Sequence, residues 1–174
     1  PVDFVVETRE EQHSISLGSL KLDLQVDRID RLADGGRLIV DYKSCGGSVA
    51  DWLGERPAAP QLPLYALASG SDAAGITFAA VTRDKPGFTG LADAGYAAGI
   101  RDDIEKAVGD RDTADSWDAL RARWGQRLAS LAHAFLRGDA AVEPLSGHKT
   151  CRYCGLQALC RIGLAVDDDG LIDE

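Results

Sequence analysis

Asp27 is followed, after thirteen residues, by Asp41-Tyr42-Lys43 at the end of an apolar run. Two carboxylates and a lysine brought to the ends of neighbouring strands can hold a divalent cation and hydrolyse a phosphodiester. Asp27 and Asp41 would supply the hard oxygen ligands that Mg²⁺ prefers, with the main-chain carbonyl of Tyr42 as a further oxygen. Lys43 lies two positions beyond Asp41, so on a strand its side chain leaves the same face, where it can act on the water or the scissile phosphate. A lone D-x-K triplet is far more often ordinary polar punctuation at a strand end. Here, though, Asp41 follows Leu38-Ile39-Val40, and a carboxylate buried by that run needs a partner.

The elements that must position these residues can be read from the pattern. Phe4 to Glu7 and Ser14 to Leu17 alternate polar and apolar residues, and Gly18-Ser19 offers a turn before Leu20, Leu22, Leu24, Val26 and Ile29. These predict a meander of strands, with His13 between them. Asp34-Gly35-Gly36 is a hairpin signal, and Arg37 to Lys43 reads as a buried strand, so the hairpin joins the two aspartates. The Gly- and Pro-rich stretch 44–60 predicts a loop able to move over a substrate. Gln61 to Ala68 has helical periodicity, opened by Pro60, with Gln61 and Tyr65 on one face at i and i+4. Ile76 to Thr82 reads as another strand, which completes a βαβ crossover. Between Asp115 and Arg137 the residues Trp117, Leu120, Trp124, Leu128, Leu131 and Phe135 step by three and four, and Gly138 follows as a helix stop. That stripe predicts a long amphipathic helix packed on the core. Asp84 to Asp112 is Gly- and Asp-rich and weakly specified.

Composition bounds the function. The 174 residues are 45% hydrophobic, enough for one ordinary domain core. No apolar run approaches the length of a membrane span and no leader pattern is visible, which predicts no membrane association and a cytoplasmic location. The start at Pro1, already in strand pattern, predicts a fragment of a longer protein. The net charge of −9 runs against nucleic-acid binding. Five of the negatives, however, sit in Asp167-Asp168-Asp169 and Asp173-Glu174, which predict a flexible acidic tail over 164–174.

Taken together, Val26-Asp27-Arg28-Ile29-Asp30, Leu38-Ile39-Val40-Asp41-Tyr42-Lys43-Ser44, Gln61-Leu62-Pro63-Leu64-Tyr65-Ala66 and Cys151-x2-Cys154-x5-Cys160-Arg161 resemble the PD-(D/E)XK nucleases. The resemblance is to the RecB-like branch at the C-termini of AddB-type helicase-nucleases. It implies an α/β, restriction-endonuclease-like core over 1–163, with a central mixed sheet, flanking helices and a cysteine-rich end. It implies that Asp27 and Asp41 bind Mg²⁺ or Mn²⁺, that Lys43 is the catalytic lysine, and that Gln61 and Tyr65 assist positioning. By the same analogy Glu7 is an extra metal ligand. The activity implied is deoxyribonuclease, specifically exonuclease, on a single-stranded DNA end in double-strand break repair and recombination, beside a helicase module. Two departures stand out: the upstream helix carrying a metal-binding His has no counterpart, and Cys45 replaces the Gly that usually follows the Lys-Ser/Thr pair. The competing reading is a nuclease-fold module without chemistry that binds DNA or braces a partner.

Three clustered thiols in an intracellular protein point to metal before disulfide. The sequence alone offers a zinc set of His148, Cys151, Cys154 and Cys160. The resemblance implies instead a [4Fe–4S] staple in the full-length protein, its fourth thiolate far upstream of this chain, with Cys45 a poor substitute.

Overall fold

The computed structural model describes residues 2–83 and 85–161, the His148 side chain excepted. The predicted acidic tail lies outside the described residues. The chain gathers into two compact units, Pro1–Arg137 and Gly138–Glu174.

The first unit is a six-stranded mixed sheet in the order β1-β2-β3-β4-β5-β6. β1 (Phe4–Leu17) and β2 (Leu20–Leu32) form a long antiparallel hairpin. β3 (Arg37–Lys43) returns antiparallel to β2 across the Asp34-Gly35-Gly36 turn, where Leu32 and Gly36 close the loop through a 2.9 Å backbone hydrogen bond. α1 (Gln61–Ala68) then crosses to β4 (Ala73–Ala80), parallel to β3. β4 is buried along nearly its whole length, as a central strand covered on both faces must be. β5 (Gly87–Ala92), β6 (Ile100–Arg101) and α2 (Ile104–Val108) come from the stretch whose composition specifies little. α3 (Trp117–Leu136) is capped by the Ser116 hydroxyl, which accepts from the Ala119 N–H.

One face of the sheet packs Ile29, Ile39, Ile76, Phe78 and Leu91 against α1, α2 and α3. The other gathers Leu32, Leu38, Val40, Ala92, Tyr96 and Ile100 into a smaller cluster. Trp117, Leu120, Trp124 and Leu128 are buried as the periodicity predicts, but Phe135 is 71% exposed, so the predicted core stripe ends before the last turn of α3. The predicted separate strands at the N-terminus are one continuous β1, with His13 inside it opposite Leu24.

The stretch 44–60 differs from a free flap. Its centre, a 3-10 turn at Val49–Trp52, puts Trp52 wholly inside the core. The Trp52 carbonyl accepts from the Trp124 indole N–H at 2.9 Å, and its ring lies 4.8 Å from Phe78. Gly47 passes so close to Phe78 that a Cβ there would come within 2.1 Å of the ring.

The second unit carries two short helical turns, α4 (His148–Cys151) and α5 (Gln157–Cys160), tied by a 2.6 Å hydrogen bond from the Gln157 amide to the Cys151 carbonyl.

Candidate active site

The β2–β3 ladder runs from Arg31↔Arg37 to Arg28↔Val40 and stops, leaving Asp27 beside Asp41 as the next positions on each strand. It stops because Asp27 spends its side chain on the neighbouring backbone: Oδ2 accepts from the Tyr42 N–H at 3.0 Å. At the same point the inward-facing parity of β2 changes. Leu20, Leu22, Leu24 and Val26 face one core on even positions, and Ile29 faces that same core on an odd one. A one-residue change of parity bends the strand. Opposite it, Glu10 of β1 has φ +51, an uncommon conformation for a non-glycine residue, and Glu7 is an extra residue in the β1–β2 register. The hairpin thus splays away from β3 where the two carboxylates meet.

Asp41 is only 2% exposed. Lys43 Nζ stands 2.7 Å from its Oδ2, yet without the alignment of a hydrogen bond, so that oxygen has no hydrogen-bond partner. The ammonium is the charge partner that a carboxylate this deeply buried needs. The ammonium also sits 5.6 Å from the centre of the Phe78 ring, which Trp52 and Gly47 support from below. The loop expected to move over a substrate therefore underpins the lysine.

Gln61 opens α1 and donates its amide to the Tyr65 hydroxyl at 2.6 Å, and that hydroxyl donates to the Gln25 carbonyl of β2. The pair ties the helix to the strand bearing Asp27, and a cleft of about 560 Å³ is lined by Gln25, Asp27, Gln61 and Tyr65. Burial raises the Tyr65 phenol above its ordinary range, against the hydrogen bond from Gln61; the charges of Asp27 and Asp41 raise it further and Lys43 lowers it. All five residues thus act on one neighbourhood.

Glu7 is placed elsewhere. It faces the opposite end of β3, where Arg31 donates to Oε1 at 2.8 Å and Arg37 donates to Oε1 at 2.6 Å and to Oε2 at 3.1 Å. The Arg37 hydrogen bond holds its carboxyl below the usual carboxylate range, and both oxygens are occupied. The expectation that Glu7 is a metal ligand is corrected on that ground.

Sequence reasoning missed the use of Arg28. Its guanidinium forks onto Asp30 (Nε–Oδ1 2.6 Å, Nη2–Oδ2 2.9 Å) and reaches the Tyr42 hydroxyl at 3.1 Å. The spacing R-x-D on one strand face was the available signal. In the second unit Cys151, Cys154 and Cys160 are free thiols. Among the described residues no three His, Cys, Asp or Glu side chains are grouped to hold a metal. The described thiols therefore do not fit a preformed cluster or zinc site, and the His148 ligand expected for zinc lies outside the described side chains. The Asp27–Asp41 pair differs, because Mg²⁺ is commonly held by one or two carboxylates and otherwise keeps water.

A mixed α/β sheet with a crossover helix, two carboxylates and a lysine at the strand ends defines a restriction-endonuclease-like nuclease core. The model of the PD-(D/E)XK nuclease superfamily matches residues 2–161, and the chain belongs to that superfamily. No curated protein and no solved structure matches the chain. Membership implies nuclease activity, a nucleic-acid substrate and, in general, a divalent metal. No helix among the described residues is long and apolar enough to cross a membrane.

Proposed function

We propose that the chain is a metal-dependent deoxyribonuclease whose site is Asp27, Asp41, Lys43, Gln61 and Tyr65. The observation that carries this reading is the buried Asp41 carboxylate, which stands next to Asp27 of the neighbouring strand and pairs with Lys43 at 2.7 Å. Asp27, Asp41 and the Tyr42 carbonyl would hold Mg²⁺ or Mn²⁺, which when bound polarises the phosphoryl oxygen and favours hydroxide at neutral pH. The chain's own residues do the rest. The Asp27–Tyr42 hydrogen bond fixes the distance between the strands. Lys43, anchored over Phe78, places positive charge where negative charge builds up on the oxygens of the phosphorane-like transition state. Gln61 and Tyr65 hold α1 against β2, so the cleft wall keeps its position as substrate enters.

The finer reading is a RecB/AddB-like nuclease domain, working as an exonuclease on single-stranded ends during break repair and recombination, with a helicase module in the same or a partner chain, in the cytoplasm. Its support is the order and spacing of the motifs and the Cys151–Cys160 run. In that reading the thiols are a staple completed in the longer protein by iron–sulfur, with zinc the alternative. The competing reading, an inactive module that binds DNA or braces a partner, draws on the net charge of −9 and on the two-carboxylate donor set.

End-labelled single-stranded and duplex DNA, incubated with Mg²⁺ or Mn²⁺ and with an EDTA control, tests the proposal. Metal-dependent cutting lost in Asp41→Ala and Lys43→Ala is expected. Cutting that survives both substitutions would refute the site, and no cutting by the unsubstituted chain or by a longer one that restores the upstream helix would leave the inactive module.

A further inference from the structure

The β2–β3 ladder ends at Arg28↔Val40, and the two carboxylates lie beyond that point, where side chains must hold the strands together. On the front of the sheet the link is the hydrogen bond from the Tyr42 N–H to Asp27. A single bond between two strand ends leaves a hinge. The back of the sheet carries a second link. Tyr42 continues the even positions Leu38 and Val40, so its side chain leaves the face of the smaller cluster, away from Asp41 and Lys43. On that face Arg28 reaches diagonally past the end of the ladder and donates from Nη1 to the Tyr42 hydroxyl at 3.1 Å. Its Nε and Nη2 are already forked onto Asp30, which is 5% exposed, and the Phe4 ring of β1 lies 5.3 Å from the guanidinium carbon. Most of the rotamer freedom of Arg28 is thus spent on Asp30, so the bond to Tyr42 costs little further ordering.

We propose that Arg28, Asp30 and Tyr42 form a brace on the back of the sheet that fixes the Tyr42 main chain against Asp27, which makes them positioning residues for the carboxylate pair. The inference rests on the nuclease reading for the use to which that pair is put. Three demands meet at Tyr42: its N–H holds Asp27, its carbonyl is the proposed third oxygen for the cation, and its peptide bonds join it to Asp41 and Lys43. A tyrosine has only two side-chain torsions, so pinning the hydroxyl at the far end of a rigid ring restrains the main chain that bears it. The guanidinium suits the task because it can fork onto one carboxylate and still present an N–H to a third oxygen in a fixed direction. An ion pair that served only the stability of β2 would need Arg28 and Asp30 but not the Tyr42 hydroxyl. The brace takes no part in bond breaking.

Amide hydrogen exchange in the metal-free chain, followed by nuclear magnetic resonance, reads the brace, and Mn²⁺ uptake reads its consequence, both apart from cleavage. Tyr42→Phe removes one hydroxyl and keeps the ring, so the fold is retained. The amide at position 42 should then exchange roughly fivefold faster and Mn²⁺ affinity should fall by a similar factor, while the Ile76 amide of β4 exchanges at an unchanged rate. Arg28→Lys keeps a charge for Asp30 but has no fork to reach both partners, so it should give similar losses. The double variant should lose little more than either single one, because both cut the same link. Tyr96→Phe removes another hydroxyl bonded to carboxylates, those of Asp34 and Asp93, and should move neither readout. In cleavage assays Tyr42→Phe should be slow at limiting Mg²⁺ and recover as Mg²⁺ is raised. Faster exchange at position 42 in a chain that neither takes up Mn²⁺ nor cuts would support the brace and refute the nuclease reading alone. Unchanged exchange at position 42 in both single variants, or faster exchange with Mn²⁺ affinity unmoved in a chain that binds it, would overturn the proposal.

Discussion

The two ends of β3 carry carboxylates with opposite fates. At the Arg37 end, Glu7 has both oxygens occupied by Arg31 and Arg37, and nothing is left for a ligand. At the Lys43 end, Asp41 is more deeply buried, meets one ammonium out of line, and keeps Oδ2 unsatisfied. Residue type alone does not separate the two, since both are strand carboxylates facing basic residues. The count of donors does. A carboxylate with both oxygens held by guanidinium donors serves structure, and a more buried one with a single ammonium partner beside a second carboxylate is the better candidate for a cation.

The strongest way to break this comparison is through activity. Lys43→Ala should lower kcat by about 10² to 10⁴, the range for a positioned acid–base or charge-stabilising group, while Glu7→Gln should leave kcat unchanged in the same DNA cleavage assay. Next in size is the support beneath the lysine. Trp52→Ala removes a fully buried ring and should destabilise the first unit by about 3–5 kcal/mol in urea unfolding. A loss under about 1 kcal/mol would mean that the 44–60 stretch is no part of the core. Smaller are the charge effects at the structural end: Glu7→Gln, which weakens three guanidinium hydrogen bonds, should cost roughly 1 kcal/mol or less in urea unfolding.

The pH dependence sharpens the contrast at the structural end. Glu7 is held below its ordinary value near 4.5 in the folded chain, chiefly by the hydrogen bond from Arg37. The unfolded chain therefore binds that proton first as pH falls, so the stabilisation is complete above about pH 4.5 and is lost as pH drops through the folded value. Acid unfolding of Glu7→Gln should show a shallower fall over that window than the unsubstituted chain, with the two curves parallel above it.

How much of this was legible in the sequence depends on where local chemistry and fold agree. The β2–β3 hairpin announced itself in Asp34-Gly35-Gly36, and α3 in the spacing of Trp117, Leu120, Trp124 and Leu128. The continuity of β1 did not. A bulge at Glu7 and the positive φ of Glu10 interrupt the alternation that marks a strand, and the same irregularities splay the hairpin beside Asp27. The core role of Trp52 was hidden in a Gly- and Pro-rich stretch, and β5, β6 and α2 in a polar one, because their burial depends on contacts distant in sequence. The aspartates and the lysine were legible by spacing. That Glu7 stands apart from them was not, since its two arginines come from β2 and β3 and only the register brings them to it.

The central claim is that the Asp41 end takes a divalent cation and the Glu7 end does not. Mn²⁺ uptake followed by electron paramagnetic resonance, in the unsubstituted chain, Asp41→Asn and Glu7→Gln, tests it without reference to catalysis. The account predicts binding by the unsubstituted chain, binding unchanged in Glu7→Gln, and binding lost in Asp41→Asn with the fold retained. Equal uptake by Asp41→Asn, or a loss in Glu7→Gln as large as that in Asp41→Asn, would contradict it.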